Sequence, residues 1–436
     1  MANLPANQLI NVQTYQKTQL AWMLNEFVAM DLANKKFKDF QTLAAQLGQT
    51  VTFDLAPRSV TQNGLVVQGF GQSVQRFQSL SCSQATNSSS AFSDQQFIFN
   101  TNSYMDRFET SRTKELGTQV ESDLLRNFIS QVTVNDPQNP AFGTILDPAS
   151  GPYRFYGNGV TAINSFQQLA QAQANFIDYG AASDSMCGVI PVVDQPAIVQ
   201  NGLSQFALAR NNDLANKWMF AEVGGFQWYQ SNLLPIHVAG NVGNNSTTLT
   251  LVSTNDPTGN NITQLTFSGA TNNDPNAFTV GDLFQFNDGV GSLPNMRYLT
   301  FIGHKPCAQP VQVRVTAPAT ANGSGNVTVS IYPALQSTPG INQNLNNSLQ
   351  AGMQITTVPS HRAGAIMSGK PLYLAMPRLE DQDPYPTVFS TDEDSGISIR
   401  HYWGCQFGQN LRAYVQDLIW GSTMVAENTM RFCFPI

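Results

Sequence analysis

Thr113-Lys-Glu-Leu-Gly-Thr-Gln-Val-Glu-Ser-Asp-Leu-Leu-Arg-Asn-Phe-Ile129 is the stretch on which the fold turns. Leu116, Val120, Leu124, Phe128 and Val132 recur every four residues, flanked by Leu125 and Ile129, so a helix gathers them into one apolar stripe. The remaining positions belong to the densest charge in the chain: Asp106, Arg107, Glu109, Arg112, Lys114, Glu115, Glu121, Asp123 and Arg126. Glu109 with Arg112, and Asp123 with Arg126, stand three apart and can pair along the wet side, each contributing about 0.3 kcal/mol. Such a helix is either a solvated surface element or one whose outer face meets another subunit.

Working outward from it, the apolar spacing of Leu20, Met23, Leu24, Phe27 and Val28 predicts one or two amphipathic helices over Gln19 to about Leu47. Gly48-Gln-Thr-Val-Thr-Phe-Asp-Leu-Ala-Pro-Arg58 alternates around Val51, Phe53 and Leu55 and reads as a strand entering a loop. Residues 59–100 are rich in Gln, Ser and Gly, with weak alternation at Gly64–Phe70 and Gln95–Phe99. They read as a two-stranded polar excursion that needs a surface to lie on.

Downstream, Ser165–Tyr179 predicts a helix, Cys187–Val193 an extended segment and Ala197–Arg210 another helix, which makes 135–235 an α+β block. From Gly240 to Thr357 the only charges are Asp256, Asp274, Asp282, Asp288, Arg297, Lys305 and Arg314. Alternating runs at Thr247–Val252, Thr263–Phe267, Asp282–Phe286, Tyr298–Ile302, Val311–Val315 and Asn326–Tyr332 predict a small all-β barrel or sandwich, inserted into the surrounding α+β texture. Strands are expected again at Gly396–Trp403, Leu411–Gly421 and Met430–Phe434.

Only 12% of the 436 residues are charged, against about 25% in an ordinary soluble protein. Amides replace them: Asn and Gln number 78, beside 22 Lys and Arg and 29 Asp and Glu, so a polar but uncharged surface is expected. A net charge of −7 with no basic run argues against an electrostatic grip on phosphates. Neither a basic-then-apolar amino terminus nor an 18-residue apolar run occurs, which predicts a soluble cytosolic product with no membrane partner. The five cysteines, Cys82, Cys187, Cys307, Cys405 and Cys433, are expected to be separate reduced thiols.

Little in the sequence points to catalysis. His237, His304, His361 and His401 are too widely spaced for a local metal pair, and no zinc, P-loop or nucleophile-elbow string is present. No catalytic, cofactor-binding or metal site is assigned. Asp381, Asp383, Asp392 and Asp394 could attract a divalent cation but lack the glycine and distal glutamate of a calcium loop, so a solvated acidic turn is the simpler reading. Gly157-Asn-Gly159 and Gly69-Phe-Gly71 read as turns rather than phosphate cradles. Trp228, Tyr229, Trp403 and Trp420 could stack on a sugar or fill a core.

The order of these elements, with Gly48-x-Thr-Val-x-Phe…Pro57-Arg58 before Glu115-Leu-Gly…Asp123-Leu-Leu, resembles the short-tailed-phage branch of the tailed-bacteriophage major capsid (coat) proteins. Tyr156-Gly-Asn-Gly-Val-Thr-Ala-Ile-Asn-Ser165 and Gly225-Phe-Gln-Trp-Tyr-Gln-Ser-Asn-Leu-Leu-Pro235 extend the resemblance. So do Phe278-Thr-Val-Gly-Asp-Leu-Phe284, Asn326-Val-Thr-Val-Ser-Ile-Tyr-Pro333, Ser395-Gly-Ile-Ser-Ile-Arg400 and Arg412…Asp417-Leu-Ile-Trp-Gly421. The departures are the Gln/Ser-rich loop and the Asn/Thr-rich stretch Asn241–Asn276.

The resemblance implies an α+β fold of the kind tailed phages share with herpesvirus capsid proteins. Its parts would be an amino-terminal arm (1–47), an extended loop (48–102), a peripheral domain with a spine helix (103–134) and an axial domain (135–236 and 358–436). The inserted all-β domain would occupy 237–357. It also implies self-assembly through hexamers and pentamers into an icosahedral shell around double-stranded DNA, made in the bacterial cytoplasm and resident in the virion. Scaffolding and portal proteins, and decoration proteins, would be partners; no enzymatic activity and no cofactor are implied. A different class, a carbohydrate-binding or adhesion protein built on the charge-poor 240–357 segment, and a hydrolase using dispersed carboxylate pairs, remain as alternatives.

Overall fold

The computed structural model describes residues 27–34, 50–58, 74–93, 110–130, 150–180, 185–199, 222–223, 225–300, 303–383, 385–391, 398–406 and 411–436. Along the chain, α1 (Val28–Leu32) precedes β1 (Thr50–Arg58), β2 (Val74–Ser81), β3 (Gln84–Ser93) and the long helix α2 (Thr110–Arg126). Next come β4 (Phe155–Tyr156), α3 (Phe166–Asp178), β5 (Met186–Pro191), β6 (Glu222–Val223), β7 (Phe226–Ser231) and β8 (Ile236–His237). A turn of helix, α4 (Asn241–Asn244), opens the run β9 (Leu249–Thr254), β10 (Ile262–Ser268), β11 (Leu283–Phe286), β12 (Arg297–Leu299), β13 (Pro306–Pro310), β14 (Gln312–Val315), β15 (Asn326–Leu335) and β16 (Gln354–Thr357). The chain closes with β17 (His361–Ser368), β18 (Leu372–Ala375), β19 (Thr387–Thr391), β20 (Ser398–Gln406), β21 (Leu411–Met424) and β22 (Thr429–Phe434).

The stripe on α2 does what its spacing predicts. Leu116, Val120, Leu124, Leu125, Phe128 and Ile129 are all buried. The first five pack on Ala29 and Met30 of α1, on Val189 of β5, on Ala365 and Met367 of β17, and on Leu372, Leu418 and Trp420. The helix thus closes over two sheets at once. One is seven-stranded, in the order β4-β22-β17-β5-β7-β6 with β8 added to β17; the other is five-stranded, β18-β21-β20-β19 with β3 added to β21. The opposite face of the larger sheet (Met186, Ile190, Ile366, Met430, Phe432, Phe434) receives Phe166, Leu169, Ala172 and Phe176 of α3. A helix, a sheet and a helix therefore form three layers in this mixed α+β chain. Helix α3 starts where the sequence predicts, because Ser165 and Gln168 form a capping box: Gln168 N donates to Ser165 Oγ, and Ser165 N donates to Gln168 Oε1.

Residues 249–357 contain a closed six-stranded barrel, β10-β15-β14-β11-β16-β9. This resolves the choice between barrel and sandwich. Strand β15 alternates as a barrel wall must, with Val327, Val329 and Ile331 buried between half-exposed or exposed neighbours. With Phe267, Phe284, Phe286, Val313 and Ile355 these residues fill the interior. Leu283 points the other way, into a small cluster with Phe155, Val358 and Cys433 that joins barrel to sheet.

Within the polar excursion of the sequence, residues 84–93 lie on the five-stranded sheet: β3 pairs with β21 over ten residues, from Gln84↔Trp420 to Ser93↔Leu411. Arg112 ties α2 to that strand through hydrogen bonds from Nε to Ser88 Oγ (3.0 Å) and from Nη1 to Ser90 Oγ (2.7 Å), rather than sitting on the wet side. Asp123 and Arg126 do pair, at 2.9 Å. The helix expected over Gln19–Leu47 is described only at α1, and the Ala197–Arg210 helix only through helical residues 195–199. The patches Gly64–Phe70 and Gln95–Phe99, along with Glu109, Val132 and Gly69–Gly71, lie outside the described residues.

Candidate functional site

The first feature with a surface role is the β1–β2 hairpin. Its inner face docks on the five-stranded sheet: Phe53 stacks on Tyr373 with ring centroids 4.2 Å apart, and Leu80 is buried with Cys82, Ala375 and Ile419. Gln78 Nε2 donates to Thr423 Oγ1 (2.8 Å), and Arg76 forms a two-pronged pair with Glu427, at 2.5 and 2.9 Å. The outer face is different. Phe77, opposite Asp54, is 70% exposed, so this face presents a phenyl ring to solvent beside a carboxylate.

A second exposed apolar group gathers where β17 begins. Ile236 pairs with Arg362, and Arg362 is bound to Asp194 just after β5. Gly159 lies against Val358, Pro359 and His361. The segments that converge there carry Val160, Val192, Val193, Ile236 and Val238, all exposed, with Val193 at 71%. Exposed apolar residues on segments that meet in this way are candidates for a contact surface.

Behind these surfaces runs a buried polar seam that fixes the barrel to the body. Arg431 of β22 is wholly buried and donates from Nε to Phe128 O (2.7 Å), at the end of α2, and from Nη1 to Gly281 O (3.1 Å), in the barrel. Burial pulls its pKa down to about 9. Arg314 of β14 reaches back to Ser130 Oγ and Ser150 O. The Gln312 amide both donates to Phe155 O and accepts from Phe155 N, completing a main-chain pair with a side chain. Arg154 donates to Glu427 O (2.8 Å) and lies over the Tyr179 ring at 4.1 Å. Asp282 accepts from Thr279 N (2.8 Å) and Gly240 N (3.2 Å) and pairs with His237 Nε2 (2.8 Å).

Of the residues the sequence nominates for chemistry, few meet. His237 and His361 come together, with ring centroids 5.2 Å apart, although they stand 124 positions apart in the chain; His401 is buried elsewhere on β20 and His304 lies between β12 and β13. Among the described residues no group of three His, Cys, Asp or Glu could hold a metal ion. Asp381 and Asp383 are exposed, whereas Asp392 and Asp394 fall outside the described residues. Gly157 and Gly159 have φ of +95° and +69°, and Asn158 Oδ1 accepts from Val160 N and Thr161 N, so this is an Asx turn. Trp228 and Trp420 are core residues, as are the barrel aromatics Phe267, Phe278, Phe284 and Phe286, which removes those rings as sugar platforms. Cys82, Cys187, Cys307 and Cys433 are buried free thiols; burial raises Cys82 and Cys433 to about 12.

Two clefts lie beside the seam. One, of about 90 Å³, is lined by Leu55, Tyr179, Val425 and Glu427; the other, of about 10 Å³, by Arg154, Asn175, Tyr298 and Cys307. The second has room for about one water. No helix among the described residues is long and apolar enough to cross a membrane.

No family model matches the chain, and no curated protein does. Among solved structures it is similar to one from Mycobacterium phage Che8, with a TM-score of 0.44 and 7% identity over 93% of this chain and 90% of that one. It is also similar to the capsid of the cyanophage P-SCSP1u (TM-score 0.41, 9% identity, 93% and 88% covered) and the capsid of Ralstonia phage GP4 (0.40, 9%, 91% and 86%). All three likenesses are loose in both identity and superposition.

Proposed function

We propose that this chain is the major capsid protein of a tailed bacteriophage, a non-enzymatic subunit that self-assembles through hexamers and pentamers into an icosahedral shell enclosing double-stranded DNA. The observation that carries the reading is exposed apolar residues on different elements, Phe77 on the hairpin and Val193, Ile236 and Val238 on the segments beside Arg362 and Asp194. A subunit that tiles a closed shell needs unlike contact surfaces, since heterologous contacts repeated about local axes close rings. The ordered motifs of the sequence support it. Those after Gly48 and at Glu115 lie on β1 and α2, those at 278–284 and 326–333 run into β11 and β15, and that at 412–421 lies on β21.

On this reading the arm is 1–47, the extended loop 48–102, the peripheral domain 103–134 with α2 as its spine helix, and the axial domain 135–236 and 358–436 around the inserted β-domain of 237–357. Within 48–102, strand β3 pairs with β21. Scaffolding and portal proteins would be assembly partners, decoration proteins would bind the shell, and the product would reside in the virion after assembly in the host cytoplasm. Scarce charge suits such contacts: amides can bond in several neighbour geometries without stranding a buried ion, which costs several kcal/mol. The test is expression of the chain with and without a candidate scaffold, followed by electron microscopy. Closed particles of uniform size are expected; a monomer under every condition refutes the reading.

A further inference from the structure

We propose that the buried pair His237 and His361 is an acid-sensitive latch that fastens the barrel to the seven-stranded sheet and opens when His361 takes up a proton. The chain runs into the barrel just after His237 and comes out just before His361, and the two are direct partners in the β8–β17 ladder. That ladder is two residues long, from His237↔His361 to Ile236↔Arg362, whereas β17 pairs with β22 along six residues. Of the two ladders this is the short one, backed by Ala363 N donating to Pro235 O (3.0 Å), and the bond from His237 to Asp282 carries it on to the barrel.

Both imidazoles are committed at one nitrogen. His237 Nε2 lies 2.8 Å from Asp282 Oδ1 and His361 Nδ1 lies 2.7 Å from Pro359 O. Each acceptor assigns the proton to the nitrogen facing it, so both rings are held as neutral tautomers. The remaining nitrogens, His237 Nδ1 and His361 Nε2, are buried without a protein partner, as is Nη2 of Arg431. An incoming proton has only those two ring positions to take.

The charges around them do not welcome it equally. The barrel contributes Asp282, which already serves His237, Thr279 and Gly240. Strand β22 contributes the buried cation Arg431 and the thiol of Cys433; Arg314 of β14 adds a further positive charge beside Arg431. Next to His361 on β17, Arg362 is tied to Asp194. His237 thus has a carboxylate to share a proton with, whereas among the described residues His361 has none and faces cations. Burial, followed by His237 and Arg431, holds the His361 pKa well below its usual value. An imidazolium at His361 is relieved by water, and water reaches it when the two-residue ladder parts.

The inference does not depend on whether the chain builds a shell, and it is tested on the full chain. Hydrogen exchange, corrected for the intrinsic rate, is followed from pH 7.5 to 4.5 in peptides covering 236–240 and 358–363 and compared with 364–368 and 429–434. Below about pH 6.5 exchange at the connecting segments should rise by up to about tenfold per pH unit, the limit for one linked proton, while the core strands stay protected. In His361→Phe, which keeps a ring but cannot titrate, the rise should vanish. A rise that persists in His361→Phe, that is uniform across the sheet, or that never occurs in the unaltered chain overturns the latch. Should that variant fail to fold, histidine-selective NMR of the unaltered chain decides instead. Titration of His361 only together with detachment supports the latch, and titration near pH 6.5 in the closed protein overturns it.

Discussion

Single residues set the seam, and two of them are sharply testable. Gly281 has φ of +86°, and a Cβ there would meet Ile129 O at 2.2 Å, so the barrel can approach the end of α2 only because this residue has no side chain. Gly281→Ala is expected to cost about 3 kcal/mol or more, combining backbone strain with overpacking, and to lower the melting temperature in calorimetry. Glu121, on the helix the sequence paints as wet, is 1% exposed and accepts from Ala29 N (2.7 Å) and Met30 N (2.9 Å). It satisfies the free donors at the start of α1 with a charged acceptor. Glu121→Ala leaves those donors buried and unpaired and should cost about 2–4 kcal/mol, read as a shift of the denaturant midpoint.

Histidines add a pH dependence at the same scale. Burial, with Arg112 adding to it, lowers His401 to about 4. A neutral buried histidine favours the folded state fully above its unfolded value of about 6.5 and loses that contribution as the pH falls toward the folded value. His401 should therefore withdraw about 3 kcal/mol between pH 6.5 and 4, and His401→Phe should flatten the melting-temperature profile in that window. No loss of stability is expected from this group above pH 7.

Strands and helices differ in how legible they are. Helix α2 and the barrel walls announce themselves by period because each has one buried face and one wet face. Strand β17 does not: Ala363, Gly364, Ala365, Ile366 and Met367 are all buried, since it sits between α2 and α3, and a strand covered on both sides has no alternation to read. Strand β3 (Gln-Ala-Thr-Asn-Ser-Ser-Ser-Ala-Phe-Ser) is mostly polar, without an alternating apolar face, and is extended because β21 pairs with it and Arg112 holds its serines. Removing 84–93 should unfold the five-stranded sheet. Phe77→Ser, on the outer face of the hairpin, should leave stability within about 0.5 kcal/mol yet, under the capsid reading, abolish particle formation in sedimentation. Particles at the unaltered yield would exclude that face from assembly.

At the scale of the whole molecule, the barrel is a unit hung on a body. Among the described residues its interior is almost entirely its own, with Tyr153, Tyr179 and Ala426 entering the cluster from the body. A fragment of residues 238–360 should therefore fold alone, giving a β-type circular-dichroism spectrum and a cooperative melt. The body closed by a short linker from His237 to His361, whose strands already pair, should fold with lower stability because Arg431 and Leu283's partners lose their cover. A disordered fragment would show that barrel and body fold as one.

The sequence by itself determined the long helix α2, the strand-rich character of residues 240–357, the α+β class and the scarcity of charge, because each is a local property of spacing or composition. Only the tertiary structure decided where the charges work. Asp274, Asp282 and Arg314, among the few charges between Gly240 and Thr357, are buried, and Asp288 pairs with Arg297. Amides expected outside also serve inside, as Gln78, Gln312 and Asn344 do. The meeting of His237 with His361 and of Arg431 with Gly281 also lay beyond the sequence, since ladders and seams join residues more than a hundred positions apart, and no local period records which partners will be brought together.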